Sequence, residues 1–222
     1  MMKKKIELNA LFYPGGNVKF ESLYIPYIYR EIYFEGIYQN LVDNFKDMVV
    51  VDVGANIGIV TQYLRDYAKK LYAVEPSSEH FEALKKNKEF NKWDNVEVFN
   101  VAIADKDGEM DFHINTTNRT CHSLTQDIGF GYTDTEKVKT MAMDSFFKEN
   151  KIGEVDFMKF DVEGAEDMIL RSEGFAKVAP KIKRIMVEFH HPTWPKLVQH
   201  MSTLGYTANR YESSAVVVLF SR

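Results

Sequence analysis

The sequence predicts an α/β fold in which helices flank a mostly parallel sheet, and three observations carry that expectation. Met48 to Val51 form a continuous apolar run leading into Asp52 and Val53, the pattern of a strand buried on both faces. Gly54, Asn56 and Gly58 follow at every second position and open a helix-like pattern. Such a βα turn at the carboxyl end of a strand is where open α/β sheets bind ligands. Strand-like and helix-like segments then alternate, which implies a doubly wound sheet.

Taken in order, residues 1–46 read as an N-terminal extension and 47–222 as the domain proper. Pro14-Gly15-Gly16-Asn17 is a turn signal for a hairpin, and Tyr24, Tyr27, Tyr29, Tyr33 and Tyr38 crowd the stretch after it. Residues 33–45 read as a helix leading to the first strand. The tyrosines either cap the sheet edge or line an acceptor pocket. After the turn come helix 57–67, strand 71–74, helix 78–91 with Ser78 as N-cap, and strand 96–100. Residues 101–139 break the rhythm and read as an antiparallel insertion near the sheet's edge. It carries His113, Asn118, Arg119, His122 and Ser123, loop residues of which a few can select an acceptor. Strand 155–160, helix 166–172, strand 182–189 and helix 193–204 follow, with Gly205 as a helix C-cap. The chain closes with a hairpin of strands 206–211 and 215–220, turned at Glu212-Ser213-Ser214.

Composition bounds the function. A chain of 222 residues, 45% hydrophobic and 27% charged, suits one soluble domain. Its net charge of −4 argues against a broad electrostatic grip on nucleic acid or anionic lipid. Cys121 is the single cysteine, so no intramolecular disulfide is possible. The basic MMKKK start has no apolar stretch behind it and no run reaches membrane-spanning length, so a cytoplasmic protein is expected.

The turn itself says what kind of cofactor to expect. A dinucleotide site would show G-x-G-x-x-G, whereas here Asp52 precedes the first glycine. A carboxylate there repels a pyrophosphate but suits a cationic ligand without phosphate, such as the ammonium and sulfonium of S-adenosylmethionine. The second strand ends in Glu75-Pro76, and an acid in that place can accept both hydroxyls of a ribose.

The segments VDVGANIG, AVEP, FMKFDVEGAE (157–166) and VEFH (187–190) together resemble the FkbM family of S-adenosylmethionine-dependent methyltransferases. The DVEGAE segment is the family-specific part, and the resemblance covers the chain from about residue 33. It implies a class I, Rossmann-like methyltransferase: a seven-stranded, mostly parallel sheet whose last strand is antiparallel. It also implies roles. Asp52, Gly54, Asn56 and Gly58 form the cofactor turn, with Gly54 and Asn56 on the methionine side. Glu75 and Pro76 lie at the ribose, Asn100 to Ala102 at the adenine, and Glu35 and Tyr38 reach in from the helix over the site.

Methyl transfer to a hydroxyl calls for a base. The fourth and fifth core strands end in Asp161-Val162-Glu163-Gly164 and Glu188-Phe189-His190-His191, which gives Asp161, Glu163, Glu188 and His190 as candidate catalytic groups. Neutral imidazole suits proton transfer near pH 7. Each also has a plainer reading: Asp161 as a helix cap or as holder of the cofactor's amino group, Glu163 as a hydrogen-bond partner, His190 as structural. Asp161, Glu188 and His190 can bind a divalent ion, but no spacing motif supports one, and none is assigned. The expected activity is O-methylation of a small molecule or glycan, with no nucleic acid or membrane partner. The alternatives are an NAD-dependent oxidoreductase, against which Asp52 speaks, and a non-catalytic binding module on the same fold.

Overall fold

The computed structural model describes residues 38, 46–115, 122–125, 131–212 and 216–222. The expected hairpin at 14–17, the tyrosines from Tyr24 to Tyr33, Glu35, nearly all of the 33–45 helix, Asn118, Arg119, Cys121 and the 213–214 part of the last turn lie outside those residues.

From β1 (Met48–Val53) the chain turns into α1 (Ile59–Leu64) and a 3-10 turn, then runs through β2 (Ala68–Val74), α2 (Ser78–Phe90) and β3 (Val96–Phe99). The insertion supplies β4 (Ala102–Ala104), β5 (Gly108–Ile114) and β6 (Asp134–Ala142), followed by α3 (Met143–Glu149). Then come β7 (Phe157–Phe160), α4 (Glu166–Leu170), α5 (Glu173–Val178), β8 (Arg184–Phe189), α6 (Trp194–Thr203), β9 (Thr207–Glu212) and β10 (Val216–Ser221). The main sheet has seven strands in the order β3-β2-β1-β7-β8-β10-β9. Its neighbours are parallel from β3 to β8, and β10 runs antiparallel to both β8 and β9.

The insertion departs from expectation. It forms a sheet of its own, ordered β4-β6-β5. β5 and β6 are antiparallel as expected, but β4 and β6 are parallel. The cause is apolar: Val101 to Ala104 are all at most 4% exposed, so the chain leaving β3 dives into the core. α3 was not expected from the sequence; Met143, Phe146 and Phe147, spaced to share one helix face, bury it. The helix expected over 166–172 divides into α4 and α5 because the Ser172 hydroxyl accepts from Phe175 N–H at 3.0 Å and caps a new start. Likewise Ser77, not Ser78, caps α2, accepting from His80 N–H at 3.4 Å. Gly205 does end α6 in a left-handed conformation, with Tyr206 N–H donating to Met201 C=O at 3.2 Å.

Two apolar clusters cover the sheet. One joins Val51, Val53, Met158, Phe160, Ile185 and Val187 to α3–α6 and to the second sheet. The other joins Val50, Leu71, Ala73, Phe157 and Met186 to α1, α2, Trp93 and Tyr38. Strand alternation carries this second face toward the carboxyl ends, where it turns polar. Asp52 pairs with Ala73 on one side and Lys159 on the other, and two residues on stand Glu75, Gly54, Asp161 and Glu188.

The glycines of the turn answer to the protein's own packing. Gly54 has φ +79°, and a Cβ there would lie 1.8 Å from the Asp161 carbonyl oxygen. Gly58 has φ +93°, and its Cβ would meet Leu84 at 2.7 Å and the Trp93 ring at 3.0 Å. The space at these Cβ positions is thus taken by the end of β7 and by Leu84 and Trp93. Gly54→Ala combines a positive-φ penalty of about 1–2 kcal/mol with an overpacking cost of about 1–3 kcal/mol. Urea unfolding should show at least that combined loss, whereas Gly153→Ala, with nothing within 4 Å of its Cβ position, should be close to neutral.

Candidate active site

The centre of the polar row is Lys159, a residue that sequence reasoning missed. It sits on β7 and is 2% exposed. Its ammonium donates to Gly54 C=O at 2.8 Å and lies 3.5 Å from Asp52 Oδ1 and 3.4 Å from Asp161 Oδ2. Burial works against its charge, but Asp161, Asp52 and Glu188 outweigh that and hold its pKa above the ordinary lysine value. The signal in the sequence was a lone lysine inside the apolar run Phe157-Met158-Lys159-Phe160. Asp52, fully buried, accepts a second contact at Oδ2 from the Thr61 hydroxyl of α1 at 2.6 Å.

Glu75 is 4% exposed and turns back over the glycine turn. Its two oxygens accept from Asn56 N–H at 2.8 Å and Ser77 N–H at 2.9 Å. A carboxylate oxygen has two acceptor sites, so each keeps one. Burial raises its pKa to about 7, against the pull of those N–H groups and of Lys159. Asn56 takes a left-handed conformation, φ +51°, and its side chain accepts from Ile57 N–H at 2.7 Å. Asn100, after β3, donates to Glu75 C=O at 3.0 Å and Pro76 C=O at 2.9 Å, tying the ends of β2 and β3 together. Ala102 is buried at the start of β4. Tyr38 is 5% exposed and tilts against Tyr63 of α1 at 6.2 Å between ring centres.

The candidate catalytic groups converge. His190 Nε2 lies 3.3 Å from Glu163 Oε2, 3.8 Å from Asp161 Oδ1 and 3.8 Å from Glu188 Oε1. Its Nδ1 meets Glu166 Oε1 at 3.0 Å, and that oxygen also accepts from Gly164 N–H at 3.0 Å. Glu166, buried at the start of α4, is a second residue the sequence did not single out for the site. Glu163 stands at φ +53°, in the left-handed turn between β7 and α4. Burial and the neighbouring Asp161 charge raise its pKa well above the usual carboxylate range. Burial disfavours charge on His190, but the Glu166 hydrogen bond and the Glu163 and Asp161 charges prevail and push it up to about 10. The neutral imidazole expected near pH 7 is therefore replaced by an imidazolium. His191 is engaged within its own loop, its Nδ1 2.9 Å from the Thr193 hydroxyl and 3.2 Å from Thr193 N–H.

A mostly parallel sheet in this strand order, with acids gathered along its carboxyl edge, defines a class I methyltransferase-like fold. Residues 52–208 match the model of the Methyltransferase FkbM domain. The chain belongs to the FkbM family of S-adenosylmethionine-dependent methyltransferases, and the nicotinamide alternative falls with that assignment. Among solved structures it resembles methyltransferase FkbM from Methylobacillus flagellatus KT at 16% identity and a TM-score of 0.57, over 86% of this chain and 47% of that one. The chain thus spans about half the length of that relative. It also resembles an rRNA methylase from Streptococcus thermophilus, at 13% identity and a TM-score of 0.56, over 86% and 95% of the two chains. A third likeness is to TrmK from M. capricolum, solved with S-adenosylhomocysteine, at 13% identity and a TM-score of 0.50, over 82% and 65%. At such identities these structures share the fold. No curated protein matches the chain. Among the described residues no helix is long and apolar enough to cross a membrane.

The residues present fit a cofactor with cationic groups. Asp52 Oδ1 and Asp161 Oδ1 are buried and accept no hydrogen bond. Both lie beside the turn at the carboxyl edge. Removing the ammonium between them, by Lys159→Met, leaves the two carboxylates unbalanced and should cost about 3–5 kcal/mol in urea unfolding. Adding Asp52→Asn to that variant should recover part of the loss, because one of the stranded charges is gone.

Proposed function

We propose that this chain transfers the methyl group of S-adenosylmethionine to a hydroxyl on a small molecule or a glycan. The convergence of Asp161, Glu163, Glu188 and His190 at the ends of adjacent strands, beside the 52–58 turn, is the observation that carries this reading. When bound, the cofactor supplies an electrophilic methyl on a cationic sulfur. Asp52, Gly54, Asn56 and Gly58 shape its methionine side, Asp161 faces its ammonium, Glu75 and Pro76 meet the ribose, and Asn100 and Ala102 border the adenine. Tyr38 shares the apolar cluster of that face.

The acceptor hydroxyl gives up a proton as its oxygen bonds to the methyl carbon and the carbon–sulfur bond breaks. An imidazolium cannot take that proton. Glu188 can: 28% of its side chain is exposed, and strand alternation puts it on the same face as His190, which orients it. The proton then passes from Glu188 to water.

Two outcomes check this. Glu188→Gln should lower turnover by roughly 10²–10⁴-fold with cofactor affinity little changed, measured with a labelled methyl donor against panels of hydroxyl compounds and glycans. An undiminished rate in that variant would remove Glu188 from the role. For the ribose, the sign follows from the raised pKa of Glu75. Without ligand, Glu75 holds its proton up to about pH 7, so stability falls as pH rises from its ordinary value of 4.5 through that point. Ribose hydroxyls favour the ionised acceptor, so calorimetry with S-adenosylhomocysteine should show the dissociation constant flat above about pH 7 and rising about tenfold per pH unit below it. Glu75→Gln should abolish that dependence and weaken binding by about 1.5–3 kcal/mol.

A further inference from the structure

We infer that Asp161, Glu163 and His190 form a site for a hard divalent cation, Mg²⁺ or Mn²⁺, which holds the acceptor's hydroxyl oxygen; the second half rests on the methyl-transfer reading above. One ligand atom from each residue lies within 4.8 Å of the others. Ligands at about 2.0–2.4 Å from a shared ion are separated by up to about 4–5 Å, so the three need little movement to close on one. Two carboxylates and an imidazole are donors that Mg²⁺ and Mn²⁺ accept.

A second observation points the same way. Asp161 Oδ1 and Glu163 Oε2 are shut off from solvent and accept no hydrogen bond. The His190 imidazolium stands beside them, with Nε2 3.8 Å from Asp161 Oδ1 and 3.3 Å from Glu163 Oε2, yet neither oxygen gains a hydrogen bond from it. Lys159 does not fill that place, because its contact is with the other oxygen of Asp161. Asp161 thus faces the lysine with one oxygen and the histidine with the other. Four carboxylates, from Asp161, Glu163, Glu166 and Glu188, surround the single imidazole. His190 is also set up as a ligand. Its Nδ1 is engaged by Glu166, which leaves Nε2 facing Asp161 and Glu163, the carboxylate–imidazole arrangement found behind metal-binding histidines.

The cation enters as Nε2 loses its proton to solvent, and the three ligands leave coordination positions open toward the cleft. A bound hydroxyl becomes more acidic there, and Glu188, outside the ligand set, accepts its proton. Adjacent open positions suit an acceptor with two neighbouring oxygens, such as a vicinal diol of a sugar. A hard cation favours such oxygens over an amine.

The test uses the full chain freed of metal by EDTA dialysis and titrated with MnCl₂, followed by calorimetry and by loss of the free Mn²⁺ resonance. One site is expected, weakened at least tenfold in Asp161→Asn and in Glu163→Gln but retained in Glu188→Gln. Thermal unfolding establishes that each variant is folded. Absence of Mn²⁺ binding, or equal binding by wild type and both ligand variants, overturns the site. Methylation that persists in EDTA overturns the cation's part in catalysis while leaving methyl transfer standing. Mn²⁺ binding lost in the ligand variants, with no methylation of any hydroxyl acceptor, upholds the site and sinks the reading of the reaction instead.

Discussion

Where β7 passes β1, the ammonium of Lys159 is 2% exposed, and oxygens from three places in the chain rely on it: Gly54 C=O, Asp52 Oδ1 and Asp161 Oδ2. Burying an ammonium costs several kcal/mol unless good geometry repays it. The repayment here comes from a hydrogen bond to the turn and from acids at the ends of β1 and of β7 itself. The turn cannot shift away without breaking that bond, and a side chain at Gly54 would run into the Asp161 carbonyl. Glycine and lysine are two parts of one constraint. The missing Cβ lets the strand end approach, and the ammonium holds it there.

That constraint explains why so much negative charge survives at the carboxyl edge. Asp52, Glu75, Asp161, Glu163, Glu166 and Glu188 crowd together, and among the described residues they make ion contacts with Lys159, His190 and, for Glu75, His80. Individual acids are stabilised locally: Glu75 by two backbone N–H groups, Asp52 by the Thr61 hydroxyl, Glu166 by Gly164 N–H. The remaining excess is a standing electrostatic cost that a cationic ligand relieves. Such an edge trades stability in the free protein for affinity toward positive charge.

Much of this was legible in the sequence for a physical reason. A buried parallel strand must be apolar, so Met48 to Val51 announced β1, and the glycine spacing announced the turn. Acids at strand ends stand out against apolar runs, which is why Asp52, Glu75, Asp161 and Glu188 could be picked. Lys159 and Glu166 were missed because their meaning is relational. A lysine inside an apolar strand has no evident partner until Asp52, a neighbour only through sheet order, is placed beside it. The protonation of His190 was misjudged for the same cause, since it depends on four carboxylates drawn from β7, β8 and α4. The split between α4 and α5 and the burial of α3 turned on one capping hydroxyl and a few apolar side chains, signals too short to read before the core is known.

The insertion shows how the two ends of the cleft differ. Its described contacts reach the β2 end: His122 stacks on His80 at 4.7 Å between ring centres, His80 Nδ1 is 3.9 Å from Glu75 Oε1, and Glu136 accepts from Ser78 N–H at 3.2 Å. Those contacts brace the start of α2 and, through it, the acid at the end of β2. The His190 group stands at the ends of β7 and β8. In the observed order β1 and β7 separate β2 from β8, which at about 4.8 Å per strand is about 14 Å. A group held against Glu75 and one held against His190 therefore sit at opposite sides of the 52–58 turn. An elongated ligand can reach from one to the other only by crossing that turn, above Gly54 and Lys159. The lysine–glycine constraint thus lies beneath the middle of the cleft and fixes the distance between its two acidic ends.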